Sequence, residues 1–171
     1  PRVDNNLNVL DLYSISKLIV APENPNLMLI MAGGIGQRLQ PYTHDCPKPL
    51  LKINGTPMLE HIIKRAKSNG FVKFVISVYY LGHMIEDYFG NGSKWGVKIT
   101  YLRETSPLGT AGCLSLLDSQ PEYPIIVSNG DIISDINYSN LLDFHSRHSN
   151  VVATMAVSKH EWRNPYGVVH S

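Results

Sequence analysis

The chain has 171 residues, 43% of them hydrophobic and 17% charged, with a formal net charge of +1. That length suits one core and one main domain, and the balanced charge gives no reason to expect nucleic-acid or membrane binding. No apolar run reaches the roughly 18 residues that a bilayer span needs, no secretory signal is visible, and Cys46 and Cys113 lack metal-ligand spacing and read as reduced thiols of a cytoplasmic protein.

The first twelve residues, PRVDNNLNVLDL, have a hairpin pattern: Val3, a turn at Asp4-Asn5-Asn6, then Val9, Leu10 and Leu12. Ser14 to Asn26 reads as a connector, with Pro22 and Pro25 near its end. Leu27 to Ala32 is an apolar strand that empties into a glycine turn, Gly33-Gly34-Ile35-Gly36. Thr56 is a candidate N-cap with Pro57 at the first helical position, and Gly70 closes that helix. Its apolar face is Met58, Leu59, Ile62, Ile63 and Ala66. Val72 to Val78 is a buried strand, Gly82 to Phe89 a short helix, and Trp95 to Leu102 a strand. Gly109 to Leu117 reads as helix, Tyr123 to Val127 as strand, Asn137 to His148 as helix and Val151 to Val157 as strand. Alternating strands and helices argue an α/β fold with a parallel-rich sheet covered on both faces.

The glycine turn is the most informative segment. Glycines let the backbone approach a bulky anion, and consecutive N–H groups there form an anion-binding nest. Arg38 and Lys48 follow in the same loop and can neutralise phosphate. A P-loop is excluded, because no Gly-Lys-Ser or Gly-Lys-Thr occurs. A dinucleotide fingerprint fails as well: after Gly34 and Gly36, Leu39 stands where the third glycine belongs. The full run is Gly33-Gly34-Ile35-Gly36-Gln37-Arg38-Leu39-Gln40-Pro41, then Thr43, Pro47-Lys48-Pro49-Leu50, Ile53, Gly55 and Pro57-Met58-Leu59. In this run the chain resembles the sugar-1-phosphate nucleotidyltransferases, matching their signature at every position.

Further candidates lie downstream. Asp131 follows an apolar strand in Ser128-Asn129-Gly130-Asp131, where a carboxylate reaches the ligand crevice of an open α/β sheet. On residues alone, a metal ligand and a turn-capping aspartate both fit. Glu104 opens Glu104-Thr105-Ser106-Pro107-Leu108-Gly109-Thr110, a loop shaped by its proline and glycine ahead of the expected helix. A carboxylate facing a base could accept both donors of the guanine edge, N1–H and the 2-amino group. A solvated Glu104 beside Arg103 is the other reading. Tyr166-Gly167 reads as a turn into a strand. His145 and His148 read as a surface pair, since no third ligand has matching spacing.

The resemblance implies a Rossmann-like mixed, mostly parallel sheet with helices on both faces, of the nucleotide-diphospho-sugar transferase type and truncated. It implies transfer of a nucleoside monophosphate from a nucleoside triphosphate to a sugar 1-phosphate, with Mg²⁺ as cofactor and GTP favoured through Glu104. Arg38 and Lys48 would be the catalytic cations. Ala32, Gly33, Gly34, Gly36, Glu104, Pro107, Gly109 and Thr110 would bind the nucleotide, Asn129, Tyr166 and Gly167 the sugar, and Asp131 the metal. It places residues 1–25 as the tail of a preceding module, similar to the closing hairpin of a CBS module, plus a linker, and residues 26–171 as the N-terminal part of the transferase domain. A Glu-Lys-Pro segment and a second metal-binding aspartate are expected beyond Ser171. Partners are then the two substrates, with no nucleic acid and no membrane, and a homo-oligomer is left open. The rival reading is a non-catalytic nucleotide or sugar-nucleotide binding module, and a dinucleotide-dependent oxidoreductase comes third.

Overall fold

The computed structural model describes residues 2–3, 9–11, 23–148, 150–159 and 161. Near the N-terminus, β1 (Arg2–Val3) pairs antiparallel with β2 (Val9–Asp11), as the hairpin pattern predicts. The main sheet begins with β3 (Asn24–Met31). A small hairpin follows, β4 (Lys52–Ile53) against β5 (Thr56–Pro57), leading into α1 (Met58–Ser68). Then come β6 (Phe71–Val78), α2 (Gly82–Phe89), β7 (Lys98–Arg103), β8 (Ile126–Asn129) and α3 (Tyr138–Ser146).

The sheet order is β7-β6-β3-β8, and every pairing is parallel. In β3, Met28 pairs with Phe74 on one side and Ile126 on the other. Such a strand is walled in along both edges, and its near-continuous apolar sequence is what a buried parallel strand requires. Side chains alternate between faces. Met28 and Ile30 join Phe74, Ile76 and Val78 in one core, which receives Leu59, Ile62 and Ile63 of α1, Ile85 and Phe89 of α2, and Leu142 of α3. Leu29 and Val75 face the other way, against Cys113 and Leu114. The three described α-helices therefore share one face, and a one-turn 3₁₀ helix, Gly112–Leu116, covers the other. Each fully buried Leu, Ile or Phe contributes about 1.5–3 kcal/mol, so the helix-bearing face carries most of the stability.

A polar tie joins α1 to α2. Glu60 is buried, accepts a 2.7 Å hydrogen bond from the Tyr88 hydroxyl, and pairs with Lys64 at 2.6 Å. Its place in the first turn of α1 also puts its charge at the favourable end of the helix dipole.

Several boundaries differ from the sequence expectations. Thr56 does not cap α1; it pairs with Ile53 in the β4–β5 hairpin, and Pro57 takes the cap position. The expected strand from Trp95 starts at Lys98, because Gly96 (φ +64°) first turns the chain in the left-handed region. The strand expected over Tyr123 to Val127 lies at Ile126–Asn129, after Pro124, which has no N–H to give to a ladder. The helix expected over Gly109 to Leu117 reduces to the 3₁₀ turn, since Gly109 and Ala111 both adopt positive φ (72° and 61°). Residues 151–157, expected as a strand, join no ladder among the described residues, and Val152, Met155 and Val157 are largely exposed. Apolar alternation alone does not make a strand without a neighbour to pair with.

Candidate functional site

Open α/β sheets bind ligands outside the carboxyl ends of their strands, where the strand order reverses. Here the chain moves from β3 outward to β6 and β7, then returns to the opposite side of β3 with β8. The reversal lies between β3 and β8. The glycine turn leaves the end of β3, and Asp131 leaves the end of β8.

Three hydrogen bonds just past the strand ends hold these segments together. The Ala32 N–H donates to Ser77 O at 2.8 Å, the Gly130 N–H to Met31 O at 2.8 Å, and the Glu104 N–H to Val78 O at 2.9 Å. A side chain at Gly130 would be crowded: a Cβ there would stand 3.1 Å from Met31 O and 3.3 Å from Ala32 Cβ. This close approach brings Asn129 and Asp131 beside the glycine turn.

Within the turn, Gly36 has φ +69°, and a Cβ would meet Thr43 Cγ2 at 2.9 Å. Thr43 is itself buried and donates to Gly36 O at 2.8 Å. Sequence reading matched Thr43 to the signature without a role; it is the floor on which the turn sits. Among the described residues, no backbone N–H of residues 33–36 donates to another backbone group. These are spare donors, as an anion nest requires.

The resulting cleft has a volume of about 700 Å³, within the usual range for small-molecule sites. Its lining brings together Ala32, Gly33, Gly34, Gly36, Arg38, Lys48, Glu104, Pro107, Gly109, Thr110, Asn129 and Asp131. Every candidate among the described residues is there. Tyr166 and Gly167 lie outside the described residues. Met31 also lines the cleft, as do Gln37 and Pro49, which belong to the signature run but were given no role there.

The charges are unevenly placed. Arg38 is exposed on the cleft rim and forms no ion pair among the described residues. Lys48 Nζ sits 2.5 Å from Asp131 Oδ2, with both side chains about one-third exposed. At that exposure solvent screens the pair, which holds position more than it adds stability. No group of three or more metal-ligating side chains occurs among the described residues, so Asp131 is not part of a ready-made protein cage for a metal. One carboxylate fits Mg²⁺ that draws its other ligands from phosphate oxygens and water.

The Glu104 carboxylate is engaged within the chain. Oε1 accepts from the Ser77 hydroxyl, and Oε2 accepts from the Leu108 N–H at 3.0 Å. The five-residue 3₁₀ turn that follows replaces the expected α-helix, and the Ala111 N–H approaches Met31 Sδ at 3.1 Å. Cys46 and Cys113 are free thiols, and burial raises the pKa of both, so neither supplies a thiolate nucleophile at neutral pH.

A family model described as nucleotidyl transferase matches residues 27–171. The chain belongs to that family. It is similar to the mannose-1-phosphate guanyltransferase of Yarrowia lipolytica, with 38% identity over 145 residues, covering 82% of this chain and 40% of the relative. It is also similar to the mannose-1-phosphate guanylyltransferase catalytic subunit beta of Drosophila pseudoobscura, with 36% identity over 151 residues, covering 85% of this chain and 40% of the relative. The chain thus spans about two fifths of the length of these curated relatives. Among solved structures, HddC from Yersinia pseudotuberculosis complexed with GMP-PN matches with a TM-score of 0.59 and 27% identity, covering 70% of this chain and 53% of that one. UDP-glucose pyrophosphorylase complexed with UDP-glucose shares the fold, with a TM-score of 0.59 at 21% identity over 71% of this chain and 53% of that one.

Proposed function

We propose that the protein containing this chain transfers a nucleoside monophosphate, with GTP as the favoured donor, to a sugar 1-phosphate, releasing pyrophosphate and forming a nucleoside-diphosphate sugar. The observation that carries the reading is the cleft at the β3–β8 reversal, where spare N–H groups of residues 33–36 meet Arg38 and Lys48. Family membership supports the reaction class, and the curated relatives named as guanyltransferases support the guanine base.

The chemistry asks the protein for in-line positioning and charge neutralisation. The attacking phosphate oxygen of the sugar 1-phosphate is already ionised, so no general base is needed. The turn N–H groups, Arg38 and Lys48 bind the triphosphate and stabilise the charge that builds on the pyrophosphate leaving group. Asp131 would hold Mg²⁺, which when bound neutralises phosphate charge. The Lys48–Asp131 pair keeps both side chains at the cleft until phosphate and metal compete for them. Pro107, Gly109 and Thr110 flank the base, and Asn129, Tyr166 and Gly167 serve the sugar. Residues 1–25 form the tail of a separate module and its linker, and the domain works in the cytoplasm.

The test is pyrophosphate release by the complete protein across a panel of nucleoside triphosphates and sugar 1-phosphates. Turnover with GTP and a hexose 1-phosphate is expected. GTP binding without any turnover would instead support a non-catalytic nucleotide-binding module.

A further inference from the structure

Arg38 and Lys48 share a loop but are held differently. Lys48 has Asp131 at 2.5 Å. Arg38 has no ion-pair partner among the described residues, so its place depends on the loop itself. From Gly36 the loop runs through successive tight turns. The Leu39 N–H donates to Gly36 O, the Tyr42 N–H to Leu39 O and the His44 N–H to Pro41 O, each at 3.0 Å. Thr43 closes the loop back on Gly36. All these bonds stay inside the segment that joins β3 to β4. Among the described residues, one hydrogen bond reaches residues 37–47 from beyond that segment: the Tyr80 hydroxyl donates to His44 O at 2.8 Å.

Tyr80 sits at a strained corner. It lies half-buried between β6 and α2, and the next residue, Leu81, adopts φ +50° and ψ 30°, in the left-handed region. A bulky residue rarely takes that conformation, and such strain persists where the surroundings over-determine it, most often at functional sites. Gly82 lets the corner close, since a Cβ there would stand 2.9 Å from Val78 Cβ. Val78 is buried at the end of β6, so the sheet sets where the corner, and Tyr80 with it, stands.

We propose that Tyr80 is a positioning residue whose hydroxyl ties the far end of the loop to the sheet and so holds Arg38 toward the phosphates. This rests on the nucleotide-site reading above. Without the tie the loop keeps its internal turns but can pivot as a unit. A bound polyanion must then order the loop, and that entropy is lost from affinity.

Tyr80→Phe keeps the ring and deletes the donor. Tyr79→Phe is the control, because Tyr79 is exposed and its hydroxyl makes no hydrogen bond among the described residues. Arg38→Ala and the double variant Tyr80→Phe/Arg38→Ala complete a cycle. Amide hydrogen exchange at Tyr42 and His44, and the Kd for metal-free inorganic triphosphate, are measured on the complete protein and on each variant.

Tyr80→Phe should speed exchange at Tyr42 and His44 and weaken triphosphate about fivefold, as loss of one neutral hydrogen bond implies. In the Arg38→Ala background the same substitution should cost less than about twofold, because the cation it positions is gone. Tyr79→Phe should leave both readouts unchanged. Unaltered exchange and affinity in Tyr80→Phe would overturn the proposal. So would an equal loss with and without Arg38, which is what a general effect on folding gives, or an equal loss in Tyr79→Phe. If the unsubstituted protein does not bind triphosphate, the nucleotide reading itself fails and the role of Tyr80 at phosphate falls with it. If it binds triphosphate but the two losses multiply in full, the nucleotide reading stands and the role of Tyr80 alone is lost.

Discussion

The two walls of the cleft differ in how far their backbone donors are tied down. The glycine turn after β3 leaves the N–H groups of residues 33–36 without backbone partners among the described residues. The loop after β7 uses two of its donors within the chain, Leu108 N–H on Glu104 and Ala111 N–H toward Met31 Sδ. Unspent donors are costly to bury and valuable to an anion. Spent donors hold a shape. The glycine turn keeps all four donors for an anion, and the loop after β7 is pinned at two points.

The largest effect should come from the binding wall. Arg38→Ala removes the exposed cation of the glycine turn and should lower kcat/KM of the complete protein on the order of 10²-fold or more, as for loss of a preorganised charge-stabilising donor. Pyrophosphate-release kinetics measure it, and near-normal values would erase the contrast between the walls.

Asp131→Asn should come next. It keeps the size, removes one charge and frees Lys48 from its partner. Activity should fall by roughly tenfold or more, with part regained at raised Mg²⁺ if the defect is metal affinity. A Mg²⁺ titration identical to that of the unsubstituted protein would reduce Asp131 to a partner for Lys48.

Two glycines of the binding wall sharpen the comparison through stability. Gly36→Ala must place a side chain in the left-handed region against Thr43, and about 1–2 kcal/mol of stability should be lost from the backbone conformation alone. Gly34→Ala meets nothing within 4 Å, and a change within about 0.5 kcal/mol is expected, as at other open surface positions. Thermal melts of the pair test this, and equal losses would mean the turn is strained throughout.

A modest loss belongs to the floor of the turn. Thr43→Val keeps the buried shape but deletes the donor to Gly36 O, and should cost about 1 kcal/mol. Urea denaturation would detect it, and an unchanged midpoint would mean that shape alone supports the turn.

Legibility from sequence followed the reach of each interaction. β3, β6 and α2 were readable because period and length are local properties, and Gly82–Phe89 matches its expected span. Arg38, Lys48 and the glycines were readable because they crowd into one loop. Ser77 was not: its partner Glu104 arrives from another strand, and nothing in the local pattern distinguishes a serine that bonds a cleft carboxylate from one that fills a strand. The expected strand over residues 151–157 failed for a related reason, since alternation reports a face and is silent about a neighbour. The expected helix after Gly109 failed at Ala111, whose positive φ no residue preference announces.

The order of strands in the sheet also sets the order in which the site can be born. β3 pairs on one side with β6, soon after α1, but on the other it waits for Ile126 to meet Met28. Parallel pairings across such long stretches of chain form slowly. Asp131 therefore reaches Lys48 only once the last strand has docked, and a chain without β8 in place has a glycine turn but no completed cleft. Nucleotide that binds the completed cleft and not its precursors would pull the folding equilibrium forward by mass action, and its substrate would serve as the final stabiliser of the newly made sheet.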